Sequence, residues 1–156
     1  IIFIDDKSTL KLKENSEVVI TGQRSAASIS KKINMDVGTV RATITKQNTD
    51  FVIQTPTSVA SVKGTDFWLV TDPENGDQIM GIEGIVGLTN IETGQEVDVS
   101  EGMSGISTPD GNLGLEETDQ SSIPDDPSED IEGPSQIKIY LEGPNGEQRV
   151  MIIEYQ

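Results

Sequence analysis

Cysteine and histidine are both absent from this 156-residue chain. With them go disulfides, thiolate metal sites, cysteine nucleophiles and the commonest general acid–base side chain. Aromatic residues are also scarce, at 4%. Basic residues number 11 against 27 acidic ones, a net charge of −16. A nucleic-acid partner is therefore not expected, because a phosphate backbone needs a basic footprint to release its counterions. An anionic membrane surface is disfavoured on the same ground. No apolar run approaches the roughly 18 to 20 residues of a spanning helix, so no membrane insertion is expected in this chain.

What is present points to strands. Ile and Val together number 31, Leu and Ala only 11. Branching at Cβ crowds a helix but packs well on a pleated surface. Short alternating segments separated by Gly, Asn, Asp and Pro run from Ile1 to Thr108, with no helical period sustained for three turns. They predict strands over Thr9 to Lys13, Glu17 to Thr21, Thr39 to Thr45, Phe51 to Gln54, Ser58 to Val62, Asp66 to Thr71, Gln78 to Ile82, Ile85 to Thr89, Glu96 to Val99 and Met103 to Ser107. Asn75-Gly76 is a hairpin signal, since both residues tolerate the positive φ of a type I′ turn. Asn15 marks a weaker corner.

A short repeat is visible as well. Glu83-Gly84-Ile85-Val86-Gly87-Leu88-Thr89 returns eighteen positions later as Glu101-Gly102-Met103-Ser104-Gly105-Ile106-Ser107. Glycine followed by an alternating strand is the pattern of a stacked or rolled sheet whose coils bury their faces on one another. The expected fold class is therefore all-β, coiled or solenoid-like. An ordinary sandwich with Gly at its corners is the alternative.

Residues 1–108 form the expected body. Residues 109–134 change character, with nine acidic groups, no basic ones and four Pro between Pro109 and Pro134, a composition that cannot build its own core and reads as an acidic linker or strap. Residues 135–156 read as a C-terminal β-hairpin. An isolated hairpin is marginal in water, so with Ile137, Ile139 and Leu141 on one face it is expected to dock on the body. The chain opens on Ile1-Ile2-Phe3 with no leader-like segment, which reads as an excised or processed piece.

The run Phe51-Val52-Ile53-Gln54-Thr55-Pro56 followed by Val62-Lys63-Gly64-Thr65-Asp66-Phe67 resembles the central signature of the FecR domain, "F-x-V-x-T-P … V-x-G-T-x-F". The flanks agree. Asp6-Lys7-Ser8-Thr9-Leu10-Lys11-Leu12 with Asn15-Ser16 is similar to its "D-G-S-x-L-x-L … N-S" segment, and Ile82-Glu83-Gly84-Ile85-Val86 to its "V-E-G-x-V" step. Lys7 stands where the family usually has Gly. The resemblance implies an all-β extracytoplasmic domain, periplasmic or extracellular, of the kind found in bacterial regulators that relay transporter occupancy to a sigma factor. It also implies a protein partner in the cell envelope.

Thr55, Pro56, Gly64, Thr65, Phe67 and Gly84 carry the resemblance and are expected to be structural. Pro56 ends one strand, and Gly64 lets the backbone turn before the next. Trp68 alternates with Phe67 and so faces the other way. It is either part of a second buried face or an exposed partner contact. Glu83 and Glu101 could be imagined as an acid–base pair but read as solvated turn carboxylates. No catalytic constellation and no cofactor is expected. Asp125, Asp126, Glu129, Asp130 and Glu132 offer oxygen for calcium but lack the spacing and mid-loop Gly of an EF-hand. The expected function is a non-catalytic interaction or sensor-relay module. The alternative is a structural or adhesive β-domain of a larger surface protein.

Overall fold

The computed structural model describes residues 1–3, 5–24, 29–46, 51–126, 135–142 and 146–155. Among them are thirteen strands and no α-helix. The strands are β1 (Thr9–Leu12), β2 (Glu17–Arg24), β3 (Ile29–Thr43), β4 (Phe51–Gln54), β5 (Ser58–Val62), β6 (Asp66–Asp72), β7 (Gly76–Glu83), β8 (Ile85–Asn90), β9 (Glu96–Ser100), β10 (Met103–Ser107), β11 (Leu113–Glu117), β12 (Ser135–Glu142) and β13 (Gln148–Tyr155), with one 3-10 turn at Gln120–Ser122. The all-β expectation holds.

The sheet is ordered β11-β10-β7-β6-β3-β4-β5-β8-β9. It rolls because β3 belongs to both of its halves. Residues 29–37 of β3 pair with β2, and residues 31–34 also pair with β4. Residues 38–43 pair with β6, and residues 40–43 also with β1. The change of partner falls at Gly38, whose φ of 128° is closed to side chains. Ser16 fills the space a Cβ would need there. Its hydroxyl accepts from the Thr39 amide at 3.0 Å. At the far end β9 packs against β7, β10 and β11, so the roll nearly closes into a barrel.

Alternation along the strands fills the interior with Leu10, Ile33, Met35, Val40, Phe51, Ile53, Phe67, Leu69, Ile79, Val86, Leu88 and Val99, all at most 2% exposed. Each large side chain buried in this way is worth roughly 1.5–3 kcal/mol. The repeat noted in the sequence becomes two like corners: Gly84 and Gly102 both take positive φ, at 81° and 75°, ahead of β8 and β10.

Two sequence expectations change in detail. The Asn75-Gly76 hairpin forms, but only Gly76 has positive φ. The register pairs Asp72 with Gly76 across a three-residue loop, which Asp72 stabilises by accepting from the Glu74 and Asn75 amides at 2.8 and 2.9 Å. The first half of β3 was not foreseen. Lys31 points inward there, and an inward cation breaks the apolar alternation by which strands are read.

The acidic stretch begins with a strand. β11 pairs antiparallel with β10, from Met103 opposite Glu117 to Ser107 opposite Leu113. Beyond it, β12 and β13 pair with each other, and β12 lies parallel to β2 with Ile139 opposite Val18 and Glu142 opposite Thr21.

Candidate interaction surface

The residues of the Thr-Pro step gather at one end of the core. Thr55 and Ser58 flank the tight β4–β5 turn, and both hydroxyls donate to Asp77 Oδ2 on β7. Thr55 Oγ1 in turn accepts from the amides of Thr57 and Ser58 at 3.1 and 2.8 Å. Pro56 is exposed at the tip, where its missing N–H costs no ladder bond. Asp77 is 2% exposed. No ion pair to it is found among the described residues. Among the described residues, its Oδ1 and the hydroxyl of its cross-strand neighbour Thr71 find no hydrogen-bond partner. A carboxylate held between two hydroxyls from the opposite half of the roll clasps the two halves together.

Gly64, Thr65 and Gly84 meet at a second corner. Gly64 has a φ of 132°, and a Cβ on it would lie 2.7 Å from Lys46 Cα. Thr65 is 5% exposed and exchanges backbone hydrogen bonds with Ile44 at 3.1 and 2.8 Å. Gly84 packs on this pair so closely that a Cβ would come within 2.9 Å of Gly64 O. Phe67 is fully buried in the core.

The opposite end of the core is closed by charge. Lys31, 4% exposed, reaches Asp5 at 2.7 Å and Asp6 at 2.5 Å. It also lies 5.1 Å over the Phe3 ring, which meets Phe51 edge to face at 5.7 Å. Burial pushes the Asp6 carboxyl up, but the bonds from Lys31 and Ser8 outweigh it and hold the group below its ordinary range. The loop before β1 carries a strained residue: Lys7 has a φ of 65°.

The outer face of the β1-β3-β6-β7-β10 half carries one unusual row. Register aligns Lys11, Arg41, Trp68, Met80 and Ser104 across five strands. Trp68 lies on this face and yet is 2% exposed. The reason is the chain that follows β11. Thr118 and Ser104 join hydroxyls at 2.9 Å, and Ser122 Oγ lies 3.9 Å from Met80 Sδ. Asp126 then reaches Arg41 at 3.0 Å and Lys11 at 2.8 Å. Register places Trp68 between Met80 and Arg41, so the chain joining the Ser122 and Asp126 contacts, with Ile123 and Pro124 half-buried in it, crosses the row at the level of Trp68. Trp68 is thus not an exposed contact in this conformation, because the strap covers it. Asp119 caps the 3-10 turn by accepting from the Ser121 hydroxyl and amide at 2.7 and 2.9 Å, which lower its pKa. Arg41 also holds Asp66 in a two-pronged pair at 3.1 and 2.9 Å, which with Asp126 keeps the guanidinium above its usual range.

The sequence pointed to Trp68, and to Asp126 only as a candidate calcium oxygen; it did not point to Lys11, Arg41 or Met80, which become neighbours of Trp68 through register. Asp77 gave no signal either. Of the acidic residues considered for calcium, Asp126 is engaged by two cations, while Glu129, Asp130 and Glu132 lie outside the described residues. Among the described residues no group of three acidic side chains is placed to hold a metal ion. Glu83 and Glu101 are both exposed. No helix of the described residues is long and apolar enough to cross a membrane, which leaves membrane-spanning strands unaddressed.

Comparison with known proteins agrees with this geometry. The family model described as FecR protein matches residues 2–87. Two crystal structures of a candidate anti-sigma factor from Parabacteroides distasonis ATCC 8503 superpose with TM-scores of 0.60 and 0.62 at 14% identity. The match covers 76% of this chain and 55% of that one, so this chain spans about half the length of its structural relative. At that identity the likeness speaks for the fold alone. No curated protein matches.

Proposed function

The chain belongs to the FecR protein family, and from that premise we propose that it is a non-catalytic sensor-relay module of the bacterial cell envelope, periplasmic or extracellular, that works by contacting another protein. The observation that carries this reading is where the family signature goes. Thr55, Gly64, Thr65, Phe67 and Gly84 are all taken up by the core or its corners. Recognition is then left to the outer faces, one of which carries Trp68 and Met80 outside the main core, beneath the strap. The charged groups support the same reading. The Lys31 ammonium is engaged by Asp5 and Asp6, and the Asp77 carboxylate by Thr55 and Ser58, so both charged groups are committed to holding the core.

The test is transcriptional. Deleting residues 1–126 from the encoded protein in its own organism should change a small set of promoters that share one alternative sigma factor. Unchanged transcription, accompanied by altered surface attachment or envelope integrity, would favour the alternative of a structural or adhesive domain.

A further inference from the structure

The strap is attached to the sheet very differently from a strand. The Thr118 amide donates to Gly102 O at 2.9 Å, but from Asp119 to Asp125 no backbone hydrogen bond to the sheet is found among the described residues; the contacts there are made by side chains and by the internal bond of the turn. The charge contacts are partly solvated, with Lys11 43%, Arg41 29% and Asp126 19% exposed. Pairs of this kind are worth at most about 1 kcal/mol each. Beneath lie Trp68 and Met80, 2% and 1% exposed, on the face that does not belong to the core. A large aromatic, a thioether and two cations in one row form a surface that water would not leave bare and that fits an anionic peptide.

We propose that the Lys11–Arg41–Trp68–Met80 row is a docking groove for an extended segment of a partner protein, and that the strap occupies it as a stand-in. The strap states the chemistry required. A small hydroxyl residue lies at Met80, a half-buried Ile-Pro pair follows it in the span that crosses the row, and a carboxylate two residues after the proline closes on Arg41 and Lys11. Charge decides the polarity of the partner. In a chain of net charge −16, Lys11 and Arg41 stand side by side at one end of an apolar row, and because Asp66 offsets only one of the two charges, that end still selects a carboxylate. A β-ladder is not needed, because the strap itself makes none. Displacement costs the strap's own contacts, which lowers the apparent affinity for the partner and makes binding conditional on a segment that matches or improves on the Ile-Pro-Asp-Asp sequence.

This proposal rests on the reading of the protein as an interaction module, but its test is separate from the transcriptional one. Trp68 is the sole tryptophan, so its emission reports the groove directly. In the full chain, Asp126→Ala should red-shift that emission and raise the acrylamide quenching constant roughly threefold, as expected when a cover held by a few solvated contacts is loosened. Lys11→Ala, which weakens the same lock from the sheet side, should shift it in the same direction and less. A synthetic peptide with the sequence of residues 118–126 should restore blue emission saturably in Asp126→Ala, and the same peptide with Asn at its final position should bind about twofold more weakly. Unchanged quenching in both variants overturns the idea that the strap is a removable cover. A freely quenched Trp68 that no peptide protects, even at millimolar concentration, overturns the groove. Dimers of Asp126→Ala that protect Trp68 and dissolve on adding peptide would assign the groove to a second copy and overturn the partner segment. Peptide binding with unchanged transcription in the organism would instead remove the relay reading and leave the groove standing.

Discussion

The two faces of the β3-β6-β7 half are built by the same strands and held by opposite means. Inward, Phe67, Leu69 and Ile79 join a continuous core closed at one end by the Thr55–Ser58–Asp77 clasp and at the other by Lys31. Outward, Trp68 and Met80 are as deeply buried, but under a strap tied by partly solvated ion pairs and a few hydroxyl contacts. Equal burial therefore does not mean equal commitment. What covers the inner face is the rest of the sheet, which cannot leave without unfolding. What covers the outer face is eight residues of chain, 119–126, that can.

The largest effect that separates the faces belongs to Gly64. A valine there would have to adopt a φ of 132° and place Cβ 2.7 Å from Lys46 Cα, combining backbone strain with a backbone clash. Gly64→Val should cost about 3 kcal/mol in chemical denaturation while the folded fraction keeps Trp68 shielded. A loss under about 1 kcal/mol would show that the corner yields and that the inner framework is softer than the geometry indicates.

Asp77→Ala follows. It strands the Ser58 hydroxyl in the core end and takes from Thr55 its Asp77 acceptor, which should cost about 2 kcal/mol. Asp77→Asn keeps an acceptor for both and should cost less. If the alanine variant were the more stable of the two, the clasp would be a net burden on the fold.

How much of this was legible follows the same division. The inner face was readable because strand alternation and the positions of Gly and Pro are local properties: the strands from Phe51 to Ser107, the buried Phe67 and the Gly64 corner lie where the pattern put them. The outer face was not, because its row is assembled by register. Lys11, Arg41, Trp68 and Met80 are separated by 30, 27 and 12 positions in sequence, and nothing in any one strand announces the others. The strand β11 escaped notice for a related reason. Leu113-Gly-Leu-Glu-Glu carries little apolar surface of its own and takes its form from pairing with β10. Even Trp68 could be placed on a face by alternation, but the chain that crosses that face lies more than 50 residues downstream, between Ser122 and Asp126.

Lys7 offers a smaller effect of opposite sign. It holds a φ of 65° where family members usually have glycine, and a left-handed conformation costs a side-chain-bearing residue roughly 1 kcal/mol. Lys7→Gly should therefore raise stability, by up to about 1 kcal/mol less the extra entropy that glycine gains on unfolding. A lower melting temperature would mean that Lys7 makes a contribution beyond its backbone.

Acid should loosen the Lys31 end with a defined sign. The folded Asp6 pKa lies below its unfolded value, near 3.9. Its contribution is thus fully present above that value and is lost as pH falls through the lower, folded pKa. In Asp6→Asn, stability should vary less with pH across the acid range than in the parent, as measured by denaturant titration at stepped pH. Parallel curves for the two proteins would dismiss Asp6 as a contributor.

The smallest stability effect is expected on the outer face, and there it is the size that matters. Asp126→Asn keeps the shape of the side chain and a hydrogen-bond acceptor but removes the charge that draws Arg41 and Lys11 onto the strap. Because these pairs are partly solvated, unfolding free energy should fall by no more than about 0.5 kcal/mol. Raising salt should act on the parent in the same direction, since mobile ions screen exposed charge and leave the inner clasp, made of hydroxyls and a buried carboxylate, almost untouched. Acrylamide quenching of Trp68 should increase in both cases while the denaturation midpoint scarcely moves. That dissociation of groove opening from unfolding is what a removable cover requires. If quenching rises only in step with global unfolding, the strap is as much a part of the folded body as the core strands, and the distinction between the two faces disappears.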